Sequence, residues 1–209
     1  RVFDYEHFSW ETSYFMERFV GGIRGIKVKN AAALDDEFHR LAQKADSFPK
    51  TIIHRDFQSQ NIMITKDRPR LIDYQGMRIG PPAYDIASML WDPYYRLKDD
   101  MRERILEYYI NIIRNHPRPP LAKGGWGDFK TREDNKGVTV FHENAFKENL
   151  LLCRLQRHMQ ALGAYGFLST VKGKRYFLKH TPEGLRLLKE DISILGSEYP
   201  ELHKLVVGL

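Results

Sequence analysis

Residues 54–76, HRDFQSQNIMITKDRPRLIDYQG, hold side chains suited to metal and phosphate chemistry. Asp56 and Asp73 offer carboxylates, and Asn61 offers an amide oxygen. Oxygen ligands of this kind suit Mg²⁺, which accepts one or two protein oxygens and completes its coordination shell with water and phosphate. The segment therefore indicates either a magnesium and phosphate site or an ordinary β-hairpin with polar ends.

A hairpin in this segment would bring Asn61 and Asp73 together. Asn61 precedes the apolar run IMI, Asp73 follows the run LI, and TKDRPR lies between them as the reversal. The start of the first strand of a hairpin lies beside the end of the second, so we expect Asn61 and Asp73 side by side. Asp56 lies on a tight loop before the hairpin and can face the same point. Asn61 and Asp73 alone would be ordinary strand-end residues, but Asp56 at this spacing favours a functional site.

The same segment resembles the protein-kinase-like phosphotransferases. HRDFQSQN matches their catalytic-loop pattern H-R-D-x-x-x-x-N, and LIDYQG stands where their metal-binding D-F-G segment lies. GPPAYDIASMLWDPY is similar to the segment that follows the metal aspartate in aminoglycoside and choline-type phosphotransferases, whereas the A-P-E segment of protein kinases is missing. With LQRHMQALGAYG, these stretches most resemble the bacterial anomeric kinases of N-acetylmuramate and N-acetylglucosamine, over about Trp10 to Leu188. The resemblance implies a small-molecule acceptor.

The resemblance also implies a role for each polar residue of the motif. Asp56 would be the general base or would orient the attacking hydroxyl, and Asn61 and Asp73 would hold Mg²⁺ that bridges the phosphates of ATP. Asp85 would brace the catalytic loop from the start of the next helix, although the helix dipole alone also favours an aspartate there. His54 is expected to support the site as a packed side chain hydrogen-bonded to backbone.

Two residues of the later stretch LQRHMQALGAYG are candidates for binding the acceptor. Arg157 and His158 lie on a predicted helix that also carries Met159 and Leu162. They either form an exposed polar face or, if the resemblance to sugar kinases extends to the substrate, line an acceptor pocket. Arg157 is the stronger candidate because a guanidinium can hold a carboxylate through two parallel hydrogen bonds.

Helical periodicity dominates the rest of the chain, and strand signals are confined to TIIH, NIMI and RLIDY. Ser9 and Thr181 are the predicted caps of two of the helices. The predicted fold is mainly α with a small β-hairpin (α+β), the architecture of the C-terminal lobe of a protein-kinase-like phosphotransferase. The Pro- and Gly-rich segment between His116 and Gly137 predicts a loop, either a solvated connector or a flap over a substrate.

The composition restricts the class of protein. The chain has 209 residues, of which 42% are hydrophobic and 12% aromatic, enough for a buried core. The single cysteine, Cys153, excludes an internal disulfide framework and fits a reducing compartment. No apolar run approaches the roughly 20 residues that a membrane-spanning helix needs, and residues 1–10 show no signal-peptide core, so we expect a cytoplasmic protein with no membrane partner.

The net charge of +6 does not by itself identify a partner, because Lys and Arg are interleaved with Asp and Glu along the chain. A mildly basic protein that handles anionic small molecules explains this balance as well as nucleic-acid binding does. We therefore expect a small-molecule acceptor and a nucleotide as partners, and no nucleic acid.

No nucleotide-binding lobe is recognisable ahead of His54, where the sequence reads as two helices and a linker. We expect residues 1–209 to be the C-terminal, catalytic and acceptor-binding lobe of a two-lobed kinase, with the N-terminal lobe absent from this chain. The predicted function is ATP- and Mg²⁺-dependent phosphoryl transfer to a hydroxyl of an amino sugar or an aminoglycoside-type acceptor, with poor activity of this part alone. A catalytically inactive regulatory or ligand-binding domain of the same fold is the alternative.

Overall fold

The structure is a computed structural model that describes residues 1–115 and 142–209. Its helices are α1 (Tyr5–Phe15), α2 (Ala31–Asp46), α3 (Pro82–Leu90), α4 (Asp99–Asn115), α5 (Glu143–Thr170), α6 (Thr181–Leu195) and α7 (Pro200–Val207). Its strands are β1 (Thr51–Ile53), β2 (Ile62–Thr65), β3 (Arg68–Leu71) and β4 (Arg78–Gly80). The loop predicted between His116 and Gly137 lies outside the described residues.

The predicted mainly helical fold with a small hairpin is confirmed. Helix α5 is the longest of the described helices, with 28 residues. No helix in the described ranges is both long enough and apolar enough to cross a lipid bilayer.

The chain divides into two compact units. Unit 1 consists of Arg1–Val2 and Ser47–Leu150, and unit 2 consists of Phe3–Asp46 and Leu151–Leu209. The segment with the candidate catalytic residues lies in unit 1.

Unit 1 contains two small antiparallel sheets, β1 with β4 and β2 with β3. The β2–β3 hairpin turns through only Lys66 and Asp67, whose φ angles of 50° and 58° are those of a type I′ turn. The reversal is therefore shorter than the predicted TKDRPR, since Arg68 is already paired with Thr65. Strand β4 was not predicted, because three residues are too short to show a period of two.

Helix α3 is largely buried in unit 1. It starts at Pro82, a favourable first helical residue because its missing N–H would have no partner inside the helix. Tyr84, Ala87 and Leu90 are at most 2% exposed. A helix this buried is a rigid support for the loop that packs against it.

Helix α5 approaches the end of α1 and the π-helical turn Met16–Gly21 closely in unit 2, at the glycines of the stretch LGAYG. A Cβ atom on Gly166 would lie 2.2 Å from the carbonyl oxygen of Arg18, and one on Gly163 would lie 3.1 Å from the backbone nitrogen of Phe15. Side chains at these two positions would push the helices apart. The close packing therefore explains why glycine stands at positions 163 and 166 of the stretch LGAYG.

The predicted helix caps are both wrong. Helix α1 begins at Tyr5, where the side chain of Asp4 accepts a hydrogen bond from the N–H of His7 at 3.3 Å, so Ser9 lies inside the helix. The cap position of α6 is His180, and the Thr181 hydroxyl makes no hydrogen bond. Each prediction took the polar residue next to the apolar repeat as the cap, although α1 begins four residues before Ser9 and Thr181 is already the first residue of α6.

Candidate active site

The loop that follows β1 begins with an unusual backbone conformation. Arg55 has a φ of 75°, a left-handed conformation that costs a non-glycine residue roughly 1–2 kcal/mol. The carboxylate of Asp85, on α3, accepts the backbone N–H groups of His54 at 2.6 Å and of Arg55 at 2.8 Å. These two bonds offset the strain of Arg55 and hold the start of the loop on a buried helix.

His54 links the loop to the end of the hairpin. Its side chain is 7% exposed, and Nε2 lies 3.0 Å from the carbonyl oxygen of Ile72. A carbonyl can only accept a hydrogen bond, so Nε2 carries the proton. The contact holds the backbone just before Asp73.

Asn61 contacts both the loop and the hairpin. Its side-chain nitrogen donates to the carbonyl oxygen of Asp56 at 2.8 Å, and its own carbonyl accepts the N–H of Ile72 at 3.1 Å. The β2–β3 register thus continues to a pairing of Asn61 with Ile72, one residue before Asp73. Because the NH₂ group is engaged with Asp56, the atom that Asn61 can offer to a cation is Oδ1.

Asp73 has a left-handed backbone, with a φ of 64° and a ψ of 30°, and its side chain is exposed. Its Oδ1 accepts a hydrogen bond from the side-chain nitrogen of Gln75, a residue to which the sequence pointed no role. Asp56 and Asn61 are half-buried. Hydrogen bonds therefore connect the backbone segments that carry Asp56, Asn61 and Asp73.

Asn61 and Asp73 each offer an oxygen donor, the type of ligand that Mg²⁺ prefers over sulfur or nitrogen. Within residues 1–115 and 142–209 there is no group of three or more His, Cys, Asp or Glu placed to hold a metal ion. Zinc sites usually need three or four such ligands. Mg²⁺ commonly accepts one or two protein oxygens and takes the rest from water and phosphate, so these residues fit that ion.

One carboxylate that contacts the loop was missed by sequence reasoning. Asp92 lies just after α3, is 2% exposed and accepts the N–H of Ser59 at 2.7 Å. The sequence offered little signal for it, because α3 ends at Leu90 and Asp92 therefore lies outside the helical repeat that includes Asp85.

Arg157 and His158 lie in unit 2, and the alternative that they form an exposed polar face is wrong. They are 4% and 0% exposed. Arg157 donates to the side-chain oxygen of Gln160, and Nδ1 of His158 lies 2.6 Å from the carboxylate of Asp191. Asp191 also pairs with Arg154, so polar partners on α5 and α6 allow this face to be buried. Acceptor binding by Arg157 and His158 stays a prediction.

We expect Asp85→Ala to lower the free energy of unfolding by about 3 kcal/mol, because two backbone N–H groups lose a charged acceptor. Urea denaturation of the full-length protein measures this change. Ser88→Ala is the control, since Ser88 is 1% exposed on the same helix and bonds only its own helix, at the carbonyl of Tyr84. A loss no larger than that of Ser88→Ala would contradict the anchoring role of Asp85.

Known proteins match the chain along most of its length. The model of the phosphotransferase enzyme family matches residues 4–120. The N-acetylmuramate/N-acetylglucosamine kinase of Pseudomonas putida is 26% identical over 203 residues, which are 95% of this chain and 53% of that protein. The protein of the same name from Neisseria meningitidis is 25% identical over 77% of this chain and 42% of its own length. The chain spans about half the length of the curated relatives it matches.

Proposed function

Because the chain belongs to the phosphotransferase enzyme family, we propose that it carries the catalytic and acceptor-binding part of an ATP-dependent small-molecule kinase. The acceptor would be a hydroxyl of an amino sugar or of an aminoglycoside-type compound. The observation that carries this proposal is the hydrogen-bonded loop of residues 54–61, held by Asp85 and joined to the hairpin through Asn61. The amino sugar is suggested by relatives that are kinases of N-acetylmuramate and N-acetylglucosamine.

In this proposal Asp56 accepts a hydrogen bond from the attacking hydroxyl and receives its proton. Phosphoryl transfer passes through a loose transition state in which the proton leaves late, so the position of the carboxylate matters more than its basicity. Two contacts support a fixed position. Asp85 holds the backbone directly before Asp56, and Asn61 donates to the carbonyl of Asp56 itself.

Asn61 and Asp73 are the proposed ligands of Mg²⁺. When bound, this ion would neutralise charge on the phosphates of ATP. The bond from Asn61 to the Asp56 carbonyl orients the amide oxygen, and the bond from Gln75 restricts the rotation of the Asp73 carboxylate. The backbone link between Asn61 and Ile72 keeps the two ligand-bearing segments adjacent.

We further propose that the nucleotide-binding lobe lies outside residues 1–209, so that this part alone phosphorylates poorly. The part of the chain before β1 supports this, since apart from a β-bridge between Val2 and Ile79 it consists of α1, a turn of π-helix at Met16–Gly21, α2 and their connections. None of these elements resembles the strand with a phosphate-pairing lysine that a kinase nucleotide lobe requires.

A panel of acceptors tests the proposed function in the full-length protein. Mg²⁺-dependent ATP consumption would be measured with N-acetylglucosamine, N-acetylmuramate, an aminoglycoside and choline. We expect at least one amino-sugar acceptor to stimulate ATP consumption and to give a phosphorylated product by mass spectrometry. Binding of nucleotide without turnover on any acceptor would instead favour the inactive, ligand-binding alternative.

A further inference from the structure

The far end of the loop is held by a second buried carboxylate. Oδ2 of Asp92 accepts the N–H of Ser59 at 2.7 Å, and Oδ1 accepts the N–H of Tyr94 at 2.8 Å. Both distances are at the short end of the range for N–H···O bonds. Because Tyr94 fixes the orientation of the carboxylate, Oδ2 remains directed at Ser59.

The N–H that Asp92 holds belongs to the turn that carries Asn61. Ser59 is the first residue of the 3₁₀ turn Ser59–Asn61, and the backbone N–H of Asn61 donates to Gln58 at 2.9 Å. A three-residue turn leaves little freedom between its first and last residues. Fixing Ser59 therefore also fixes the backbone of Asn61.

Asp85 and Asp92 fasten the two ends of the loop to the two ends of one helix. Asp85 binds the backbone of His54 and Arg55, and Asp92 binds that of Ser59. Asp85 lies in the first turn of α3, and Asp92 lies two residues beyond its last residue, Leu90. Asp92 holds the end of the loop that leads into Asn61.

Resting on the proposed function, we propose that Asp92 is a positioning residue for phosphoryl transfer. By holding the N–H of Ser59, it sets the direction in which Asn61 presents its amide oxygen to the cation. Asp92 acts through Asn61 and is not itself a ligand.

The substitution Asp92→Asn tests this role, because an amide has one acceptor oxygen for two backbone donors. In the full-length protein we expect the peptide covering residues 57–62 to exchange its amide hydrogens about tenfold faster. Affinity for Mn²⁺ in the presence of a non-hydrolysable ATP analogue, measured by electron paramagnetic resonance, is expected to fall about tenfold, which corresponds to about 1.4 kcal/mol. Neither readout requires turnover.

Glu37→Gln is the matched control in unit 2. Glu37 is 3% exposed, and its carboxylate accepts the backbone N–H groups of Glu201 at 2.9 Å and of Leu202 at 2.8 Å. The chemical change and the number of affected bonds are the same as in Asp92→Asn. We expect Glu37→Gln to reduce thermal stability and to leave Mn²⁺ affinity unchanged.

Ser59→Pro removes the donor and leaves Asp92 in place, which keeps the proposal testable if Asp92→Asn does not fold. Gln58 has a φ of −130° and a ψ of 164°, the extended conformation that a residue before proline adopts. Ser59 opens a helical turn, where proline is tolerated. We expect Ser59→Pro to weaken Mn²⁺ binding. The double variant with Asp92→Asn and Ser59→Pro should bind Mn²⁺ no more weakly than Asp92→Asn, because both changes act on the same bond, from Ser59 to Asp92.

Unchanged Mn²⁺ affinity in Asp92→Asn and Ser59→Pro would overturn the proposal, and so would an equal loss in Glu37→Gln. Faster amide hydrogen exchange of residues 57–62 without a change in Mn²⁺ affinity would also overturn it, since Asp92 would then hold the loop without influencing cation binding. Failure of the proposed function is a separate result, namely no ATP-dependent phosphorylation by the wild-type protein with any acceptor.

Discussion

Asp56→Asn is expected to lower kcat by about 10²- to 10⁴-fold, the usual contribution of a positioned general base. Asparagine has nearly the same shape as aspartate but cannot take up the proton of the acceptor hydroxyl. The backbone carbonyl of Asp56, which binds the side chain of Asn61, is unchanged by the substitution. Nucleotide affinity should therefore stay close to that of the wild type. Steady-state kinetics and equilibrium nucleotide binding on the full-length protein measure both quantities.

Asp67→Asn provides the control for this prediction. Asp67 is an exposed residue of the hairpin turn with a φ of 58°, a conformation that asparagine also tolerates. The same chemical change there should leave kcat unaltered. Turnover near the wild-type rate in Asp56→Asn would show that Asp56 is not the base.

Asp73→Ala is expected to abolish the dependence of nucleotide binding on Mg²⁺, because the substitution removes the only carboxylate among the proposed ligands. The measurement compares the Kd of an ATP analogue with Mg²⁺ and with EDTA. In the wild type Mg²⁺ should tighten binding, and in Asp73→Ala the two values should agree.

The left-handed backbone of Asp73 requires a second variant. Alanine at a φ of 64° is strained, so Asp73→Ala also perturbs the local conformation. Asp73→Asn keeps a residue that tolerates this conformation and removes only the charge. We expect a weaker but measurable loss of Mg²⁺ dependence in Asp73→Asn. If Mg²⁺ still tightened binding as strongly in both variants as in the wild type, Asp73 would not be a ligand.

Sequence patterns predicted the helices and strands of this protein well where a helix was long or where two apolar runs flanked a turn. Helices α2 and α4 follow from apolar residues at helical spacing, and the β2–β3 hairpin follows from two apolar runs around a short polar turn. Strand β4 has three residues and pairs with β1 from a distant part of the sequence, so no local period reveals it. The helix caps were misplaced because the polar residue nearest an apolar repeat need not be the one that starts the helix.

Residue types and spacing were sufficient to select Asp56, Asn61 and Asp73 as one group, and the hairpin register explains why Asn61 and the end of β3 are adjacent. The resemblance to the phosphotransferases implied that Asp85 braces the loop, and the structure shows its carboxylate bonded to the backbone of His54 and Arg55. The family was predicted from its resemblance to HRDFQSQN, LIDYQG and the stretches that follow them.

Contacts between residues far apart in the chain were decided only by the tertiary structure. Asp92 reaches Ser59 across 33 positions, and His158 meets Asp191 across the same separation. A polar residue on a helix is equally compatible with solvent and with a buried partner, and only the packing of the other elements determines which it receives. For this reason the sequence by itself predicted which residues would do the chemistry, and the fold decided which carboxylates hold the loop and which side chains are buried.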